Sequence, residues 1–417
     1  MLRRTGFTTA LVRLLAWRSG RAHGFADCRP SARALGFSLV SVKDVDVMAS
    51  PLKPFLTSRP KIPPLPVDFG DRSVHRLHFN ECPFPPSPAV TQAIAEAAGR
   101  LNHYPDAVWS DLTHAIATEW DWPQDRIICA NGSDELLMMT GQLVLGPGDE
   151  AVAPGPCFAN YPKSAAAQGA TLIQVPVRHD GGIDIDATLA AITPRTKLVF
   201  VTTPMNPTGT LMQTAEFTRL AREIPDHALL VLDEAYYEFG RFEGGGDHLP
   251  ALRDRSGPWI VLRTFSKAYA LAGLRLGYAL CGSEEVRTAF DQVRIGFNVN
   301  RLSQAGAAAA LTDPGHTAMI LENNKRERER MAGALTALWC RVLDSATNFI
   351  AAELPCASPT VVSALRAEAD IWTQAIAYPG FENFIRISVG GPEDTDALLA
   401  AFPGILQRAL DAREPAE

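Results

Sequence analysis

The sequence of 417 residues predicts an α/β protein with a mostly parallel central sheet, followed by a second, smaller α+β domain. Three observations predict this fold class. Short apolar runs alternate with helical patterns along the chain, as in proteins whose sheet is covered by helices. Most runs are apolar throughout rather than at every second residue, which is typical of strands buried on both faces. Several runs also end at polar residues or at a glycine-containing turn.

Each element follows from its own pattern. Apolar runs predict seven strands in the first part of the chain, at 126–130, 150–153, 171–177, 197–201, 228–232, 259–263 and 276–281. Helical spacing predicts helices at 133–145, 214–223 and 284–294, and a long helix at 317–339. The charge run 325–330 on that helix mixes both signs, so we expect a solvated helix face. Strands at 348–352 and 384–389 and a helix at 394–410 complete the smaller domain.

The chain divides into four segments. Residues 1–47 contain seven arginines and three acidic residues, a composition that suits an organelle transit peptide. The alternative that we favour is translation from Met48, which makes 1–47 an extension that we expect to be disordered. Proline is frequent in 48–85, so this segment is predicted to be an extended N-terminal arm. A large domain at 86–315 and a small C-terminal domain at 316–417 follow.

Composition and charge exclude several classes of protein. Apolar residues make up 47% of the chain and charged residues 20%, as in folded globular proteins. The formal net charge of -7 argues against nucleic-acid binding, and no long uncharged apolar run predicts a membrane span. The seven cysteines are scattered without a C-x-x-C pair, so we expect a reducing compartment and a cytoplasmic protein. The histidines show no metal-ligand spacing, and no metal site is predicted.

A lysine, an arginine and two hydroxyls follow the strand predicted at 259–263. The motif T-F-S-K-A spans 264–268, and Arg275 comes eight residues after Lys267. A lysine at a strand end forms a Schiff base with an aldehyde when its surroundings lower its pKa. An arginine that returns to the same pocket clamps a phosphate. A surface lysine near an ion-paired arginine is the alternative explanation.

Two neighbouring strand ends also carry polar side chains. Asp233 follows the run 228–232, and Asn206 follows the run 197–201 within the motif N-P-T-G. Ligands of open α/β sheets bind at the carboxyl ends of the strands, so we expect these strand ends to converge with that of Lys267. Asp233 would pair with a protonated ring nitrogen of a cofactor, and a helix cap or loop carboxylate is the alternative.

A glycine-containing turn opens the helix predicted at 133–145. The motif N-G-S-D-E spans 131–135, and Ser133 or Asp134 is expected to be the N-cap residue. The free N–H groups of such a helix N-terminus also bind phosphate. Phe158, in the loop after 154–157, would stack on a ring or, as the alternative, belong to the core.

Taken together, these motifs resemble those of the fold-type-I pyridoxal-phosphate aminotransferases. N-G-S-D-E, P-x-x-F, N-P-T-G, D-E-A-Y, T-F-S-K-A and G-L-R-x-G occur in the family's order. Within the family, N-E-C-P-F at 80–84 and H-Y-P-D at 103–106 are most similar to the histidinol-phosphate aminotransferase branch. The resemblance implies an aspartate-aminotransferase-like fold with pyridoxal 5'-phosphate as cofactor. It also implies exchange of an amino group between an amino donor and a 2-oxo acid such as 2-oxoglutarate.

The resemblance implies roles for individual residues. Lys267 would form the Schiff base and then move the substrate Cα proton, while Asp233 would pair with the pyridinium nitrogen. Asn206 and Tyr236 would hydrogen-bond the phenolic oxygen, and Phe158 would stack on the ring. The residues implied at the cofactor phosphate are Ser133, Asp134, Thr264, Ser266, Arg275 and, from the partner subunit of a homodimer, Tyr104. The residues implied at the substrate are Arg386, Asn206 and Phe84.

One position departs from the family pattern. A second arginine usually stands about a dozen residues before the position of Arg386, and here Gln374 occupies that place. Losing one charge-assisted bond to a phosphate costs about 1.5–3 kcal/mol, which argues against histidinol phosphate as donor. A single Arg386 suits an α-carboxylate, and Phe84 or Trp372 would line a pocket for an apolar or aromatic side chain. The alternatives are an aromatic or other amino-acid aminotransferase, or a decarboxylase of amino acids or amino-acid phosphates.

Overall fold

A seven-stranded sheet forms the centre of the fold. The computed structural model describes residues 74–412, which all belong to one compact unit. The strands of the first part of this range are β1 (His75–Arg76), β2 (Ile127–Ala130), β3 (Glu150–Gly155), β4 (Thr171–Pro176), β5 (Thr196–Thr202), β6 (Leu229–Asp233), β7 (Trp259–Thr264) and β8 (Gly277–Cys281). The central sheet has the order β2-β8-β7-β6-β5-β3-β4.

The central sheet is mostly parallel, which confirms the predicted fold class. Only β8 runs against its neighbours β2 and β7, and the remaining pairs are parallel. Nearly every residue of β5, β6 and β7 is buried, which explains why these strands are continuous apolar runs. Because the three strands are parallel neighbours, the residues that follow them emerge at the same end of the sheet.

A smaller antiparallel sheet is built from the last third of the chain. The described part of this region contains five strands: β9 (Arg341–Val342), β10 (Phe349–Glu353), β11 (Ile371–Trp372), β12 (Gln374–Ala375) and β13 (Phe384–Ser388). Four of them form a sheet in the order β12-β13-β10-β9. The fifth, β11, pairs in parallel with β1, so the first described strand is joined to the last third of the chain.

Helices cover both sheets, and the predicted helices are present with ends shifted by up to three residues. The helices are α1 (Pro88–Ala98), α2 (Ser110–Trp120), α3 (Gly132–Val144), α4 (Asn160–Ala167), α5 (Ile185–Ala190), α6 (Thr214–Glu223), α7 (Tyr237–Phe242), α8 (Leu249–Arg253), α9 (Glu284–Val293), α10 (Arg301–Leu311), α11 (Pro314–Ala337), α12 (Ser358–Ala369) and α13 (Pro392–Asp411). The prediction missed α1, α2, α4, α10 and α12, and the short helices α5, α7 and α8.

The predicted cap of α3 is wrong. The helix begins at Gly132, and its N-cap residue is Asn131, whose side chain makes no capping bond. Glu135 instead accepts the Asn131 backbone N–H. Gly132 has a φ of 76°, in the left-handed region that glycine adopts without strain. Ser133 and Asp134 therefore lie in the first helical turn, where backbone N–H groups have no partner within the helix.

The charge run on α11 is partly buried, which differs from the expected solvated face. Glu327 is only 1% exposed and pairs with Arg326 and Arg330. Arg328 is buried as well and lies 2.7 Å from Glu243, the residue after α7. The helix packs against α13, β9, β10 and α7, so too little of its circumference remains for a fully solvated charged face. The mixed-sign pairs are present, but two of their members are in the interior.

Two apolar clusters contain most of the buried side chains. One is drawn from 90–310 around the central sheet, and the other from 331–406, with Leu77, around the smaller sheet. The clusters lie on either side of residue 315, but the domain boundaries at 85 and 315 stay predictions. The expected extension at 1–47 and most of the arm at 48–85 lie outside the described residues.

Residues 74–412 contain neither a candidate membrane span nor a cluster of metal-ligating side chains. No helix in this range is both long and apolar enough to cross a membrane. Over the same residues, His, Cys, Asp and Glu side chains form no group that could hold a metal ion. The six cysteines of the described range are free thiols.

Candidate active site

A cavity of about 630 Å³ lies at the carboxyl ends of β5, β6 and β7. Asn206 follows β5, Asp233 ends β6 and Lys267 follows β7, and all three line this cavity. The predicted convergence of three strand ends is therefore confirmed. Arg386, in the middle of β13, also lines the cavity, so both sheets contribute to it.

Lys267 is half-buried, and its amine contacts the backbone of the chain's first described segment. Nζ donates hydrogen bonds to Phe79 O at 3.1 Å and to Asn80 O at 2.9 Å. Burial and then the charge of Arg386 lower the pKa of Lys267 to about 8. About a tenth of the amine is therefore neutral at pH 7, compared with about one part in three thousand for an ordinary lysine, and the neutral amine is the form that attacks an aldehyde.

Asp233 is a buried carboxylate whose two oxygens are both hydrogen-bonded. Oδ2 accepts from the Tyr161 hydroxyl at 2.7 Å, and Oδ1 accepts from the Ala235 backbone N–H at 3.0 Å. Burial raises the pKa of Asp233 to about 6, while the Tyr161 bond opposes that rise. Tyr161 also contacts the Thr202 hydroxyl at 2.6 Å. The sequence analysis missed Tyr161, whose only signal is that it lies three residues after Phe158.

Asn206 and Tyr236 also line the cavity, and each is hydrogen-bonded to another residue that lines it. Asn206 Oδ1 accepts from Arg386 Nη1 at 2.7 Å. The Tyr236 hydroxyl accepts from Asn80 Nδ2 at 2.9 Å, and burial raises the pKa of Tyr236 to about 12. Tyr236 therefore stays protonated at neutral pH and keeps a proton to donate to a ligand. Asn80 contributed only to a motif in the sequence analysis, yet it lines the cavity and contacts two of the site residues.

The N-terminus of α3 and Arg275 form an anion-binding corner of the cavity. Ser133 and Asp134 lie in the first turn of α3, and both line the cavity. Arg275 Nη2 lies 3.1 Å from Asp134 Oδ2, and a side chain at Gly132 would meet that guanidinium at 2.6 Å. Glycine therefore permits the close approach of Arg275 to the helix. A helix N-terminus beside an arginine is suited to a phosphate.

Thr264 and Ser266 complete this corner. The Thr264 hydroxyl lies 3.0 Å from that of Ser266, and it also accepts the Ser266 backbone N–H at 3.1 Å. Both residues line the cavity beside Lys267. The structure therefore brings together the hydroxyls, the helix N-terminus and the arginine that were predicted to surround a phosphate.

Arg386 and Gln374 are direct neighbours across the antiparallel pair β12–β13. Arg386 Nη2 donates to Gln374 Oε1 at 2.6 Å and to His78 O at 2.8 Å. Among the described residues, Nε of Arg386 has no hydrogen-bond partner although it is buried. Gln374 thus occupies the position where the resemblance implied a second arginine. Its side-chain carbonyl oxygen accepts a hydrogen bond from Arg386.

The remaining predicted residues fall into two groups. Phe158 lines the cavity and meets Tyr161 edge to face at 6.0 Å between ring centroids. Phe84 and Trp372 do not line it, which corrects the expectation of a pocket wall within this chain. Trp372 instead packs under the Arg366 guanidinium at 3.8 Å, and Phe84 follows Cys82 and Pro83 beside a separate, smaller cavity. Tyr104 is 78% exposed, away from this chain's own site, so its implied role requires a second subunit.

The cavity fits a compound that carries an aldehyde, a basic ring nitrogen and a phosphate. Lys267 offers the amine, and the corner at α3 and Arg275 offers the anion site. The Asp233 carboxylate contacts a hydroxyl and an amide but no cationic side chain in the described range, so a protonated ring nitrogen would supply its missing counter-charge. Pyridoxal phosphate combines these three groups. The fold and the site therefore define a pyridoxal-phosphate-dependent enzyme.

Comparisons with known proteins agree with this class. The family model "Aminotransferase class I and II" matches residues 72–402. The histidinol-phosphate aminotransferase 1 of Mesorhizobium japonicum is 35% identical over 81% of this chain and 92% of its own. An aromatic amino acid aminotransferase of Rhodococcus jostii is 39% identical over 80% of this chain and 91% of its own. The crystal structure of a Sinorhizobium meliloti histidinol-phosphate aminotransferase with pyridoxal-5'-phosphate gives a TM-score of 0.80 at 29% identity, over 87% of this chain and 99% of that one.

The chain belongs to the class I and II aminotransferases. Its relatives and structural neighbours support the fold-type-I enzymes of the histidinol-phosphate aminotransferase branch, as the motifs predicted. It is a pyridoxal-phosphate-dependent transaminase that exchanges an amino group between a small amino donor and a 2-oxo acid. The individual roles of the site residues stay predictions, which the placements above support.

Proposed function

We propose that this aminotransferase takes its amino group from α-amino acids with apolar or aromatic side chains. One observation carries the proposal. Three cations line the cavity among the described residues, namely Lys267, Arg275 and Arg386. The first two are assigned to the cofactor, so Arg386 alone is available to the substrate. One arginine matches the single charge of an α-carboxylate, whereas a phosphate dianion needs more positive charge than this site supplies.

Arg386 is prepared to receive a carboxylate. Its two terminal nitrogens are held by Asn206, His78 O and Gln374, which fixes the guanidinium plane. Its buried Nε–H has no acceptor among residues 74–412, and a substrate carboxylate would supply one. Burial lowers the pKa of Arg386, but an arginine remains charged at neutral pH.

The cavity wall that follows Gln374 is largely apolar. Ala375, Ile376, Ala377 and Tyr378 line the cavity in sequence, and none of them carries a charge at neutral pH. A side chain of the substrate that contacts this wall gains by burying apolar surface, and a charged one loses its hydration. The wall therefore favours an apolar or aromatic donor.

Each residue of the site then has a separate role in transamination. Bound pyridoxal phosphate supplies an electron sink for the carbon that loses its proton. Lys267 Nζ binds the cofactor and moves the proton at the substrate Cα, for which a pKa near 8 is well matched to neutral pH. Asp233 holds the ring nitrogen protonated, and Asn206 and Tyr236 hydrogen-bond the phenolic oxygen.

The proposed functional unit is a homodimer. Tyr104 stacks on Phe297 at 4.7 Å between ring centroids, and both rings are exposed. Leu101, Val108 and Ile295 are exposed large apolar residues in the same two segments. An exposed apolar patch of this kind marks a contact surface, and a second copy of the chain would cover it. The partner's Tyr104 would then reach the cofactor phosphate.

Histidinol phosphate is the second candidate donor. It is favoured by the similarity to histidinol-phosphate aminotransferases, which the Mesorhizobium japonicum relative illustrates at 35% identity. Gln374 opposes it, because replacing an arginine at a phosphate site costs about 1.5–3 kcal/mol, or a tenfold to hundredfold loss in binding. Aromatic amino acid aminotransferases are also among the relatives, so the similarity alone does not choose between the two donors.

The test is a half-reaction with the purified holoenzyme. Phenylalanine, tyrosine, alanine, glutamate and histidinol phosphate are added one at a time without a 2-oxo acid, and the visible absorbance of the bound cofactor is followed. We expect the aromatic donors to remove this absorbance fastest. If histidinol phosphate reacts with a higher specificity constant than every carboxylate donor, the proposed donor class is wrong.

The variant Gln374→Arg tests the charge argument directly. A second arginine beside Arg386 adds a charge-assisted bond to a phosphate, so the KM for histidinol phosphate should fall by about tenfold to hundredfold. Gln374→Glu is the matched control. It keeps the size of the side chain but adds a negative charge, so the KM for histidinol phosphate should rise instead of falling. An unchanged KM for histidinol phosphate in Gln374→Arg would show that position 374 does not face the substrate phosphate.

A further inference from the structure

A buried ion pair lies next to the strand ends that carry the active site. Arg263 directly precedes Thr264 on β7, and Glu234 directly follows Asp233 on β6. Asp233 and Thr264 line the cavity, whereas Glu234 and Arg263 do not. Successive side chains of a strand point to opposite faces, so the ion pair lies on the face turned away from the cofactor.

Both side chains are held in one arrangement. Arg263 Nε and Nη2 donate to Glu234 Oε2 at 2.9 and 2.8 Å. His248 Nδ1 lies 3.1 Å from Oε1, the other oxygen of Glu234. All three residues are buried, and Arg263 is 0% exposed. Both oxygens of Glu234 are therefore engaged, and neither side of the pair reaches solvent.

Aromatic rings fix the plane of the guanidinium. Arg263 Cζ lies 3.6 Å from the ring centroid of Tyr237, at the start of α7, and 4.3 Å from that of Trp120, at the end of α2. Two rings from different helices leave the guanidinium little freedom to rotate. The Glu234 backbone N–H also donates to Leu262 O at 2.9 Å. The end of β6 is thus held against β7 by backbone and side-chain bonds together.

An ion pair of this kind is a poor device for stability alone. The cost of removing two charges from water cancels most of their attraction, and apolar pairs of the same size often stabilise a core as well. The pair instead fixes geometry, because its hydrogen bonds permit only one relative arrangement of the two strand ends that carry Glu234 and Arg263. The proposed cofactor contacts emerge from these same two strand ends.

We propose that Glu234 and Arg263 are positioning residues for the cofactor. Their contact sets the spacing between Asp233 on β6 and the segment 264–267 after β7, and thereby the orientation and retention of pyridoxal phosphate. His248 holds the second oxygen of Glu234 and supports the same arrangement. The inference rests on the cofactor contacts proposed above for Asp233 and Lys267.

The test compares two full-length holoenzyme variants with the wild type. Glu234→Gln combined with Arg263→Met removes both charges together, so no buried charge is left unpaired. Glu327→Gln is the matched control, because Glu327 is an equally buried glutamate that pairs with Arg330 on α11 and does not line the cavity. Three quantities are measured: the melting temperature, the dissociation constant of pyridoxal phosphate on dilution, and the visible circular dichroism per bound cofactor.

We expect the double variant to raise the dissociation constant by about tenfold to hundredfold, which is the effect of weakening one charge-assisted hydrogen bond to the cofactor. Its visible circular dichroism should change as well, because that signal reports the orientation of the bound ring. Glu327→Gln should lower only the melting temperature. If the double variant likewise changes only the melting temperature, the pair is structural and the proposal is wrong.

Arg263→Lys is the second variant, for the case in which the double variant does not fold. It keeps the buried charge but loses the two parallel N–H bonds to Glu234, so a smaller rise in the dissociation constant is expected. An unchanged dissociation constant and circular dichroism in this variant overturn the proposal. None of these readouts involves an amino donor, so they are independent of the donor class proposed above.

Discussion

Asp233 depends on Tyr161, a residue outside the motifs that identify the site. The two side chains are buried and joined by a hydrogen bond of 2.7 Å. Burial alone favours the neutral carboxylic acid, whereas a donated hydrogen bond favours the carboxylate. The Tyr161 hydroxyl therefore helps to keep Asp233 ionised, and an ionised Asp233 is what a protonated ring nitrogen requires.

Tyr161→Phe should shift the acidic limb of the pH profile upward. The pKa of Asp233 is raised to about 6 by burial, so its carboxylate form is present above pH 6 and is lost below it. Removing the hydroxyl removes an interaction that lowers this pKa, so protonation begins at a higher pH. The measurement is the dissociation constant of pyridoxal phosphate from pH 5 to 9, which reports the ionisation of Asp233 in the cofactor-free protein. An acidic limb that stays in place, or moves to lower pH, contradicts the role given to Tyr161.

The residues predicted from the sequence and those missed differ in one physical respect. Lys267, Asp233 and Asn206 follow strands, and the sheet brings strand ends together, so strand order alone places them. Asn80 and Tyr161 reach the same cavity from segments without a predicted element. Their positions depend on tertiary packing, which local patterns do not encode.

At the scale of whole elements, the buried strands were the most predictable part of the fold. All seven strands of the central sheet lie within two residues of their predicted ends, because each strand is an apolar run between polar breaks and all but the edge strand β4 are largely buried. Helix starts were less predictable. The cap of α3 was placed too late because Gly132 adopts a left-handed φ inside the helical span, a state that residue patterns do not show.

The contact between β8 and the start of α3 leads to a prediction at this scale. A side chain at Gly277 would lie 2.5 Å from the Ser133 backbone nitrogen and 3.0 Å from Arg263 O. Gly277→Ala must therefore displace the helix N-terminus that faces the cofactor phosphate. Overpacking of this kind costs about 1–3 kcal/mol, so the dissociation constant of pyridoxal phosphate should rise by about tenfold.

Gly273→Ala is the matched control for Gly277→Ala. A side chain at Gly273 would meet no atom within 4 Å, and this glycine does not need a left-handed backbone. Its cofactor affinity should equal that of the wild type. Equal affinities for all three proteins would mean that the N-terminus of α3 makes no contact with the phosphate.

At the scale of the whole molecule, the exposed apolar patch around Tyr104 predicts association. Ile295 is 74% exposed, two residues from the ring that stacks on Tyr104. Ile295→Asp places a charge where the second subunit would bury it, which is unfavourable. Light scattering should show the mass of a dimer for the wild type and of a monomer for this variant, and the monomer should bind pyridoxal phosphate more weakly.

Trp339→Asp provides the comparison for this experiment. Trp339 is the most exposed large apolar residue within 74–412, at 91%, but it is not one of the residues of the patch around Tyr104. Its variant should keep the mass of the dimer. Dissociation caused by Trp339→Asp, with none caused by Ile295→Asp, would place the interface elsewhere on the molecule.

The pairing of β1 with β11 has a consequence for synthesis on the ribosome. His75 pairs with Ile371, and the cavity takes residues from Phe79 to Arg386. A growing polypeptide can complete the central sheet long before Arg386 leaves the exit tunnel. The cavity itself is complete only after Arg386 has emerged as well. A nascent chain of this protein can therefore carry a finished central sheet and its cofactor-binding residues before it carries the arginine that receives the substrate.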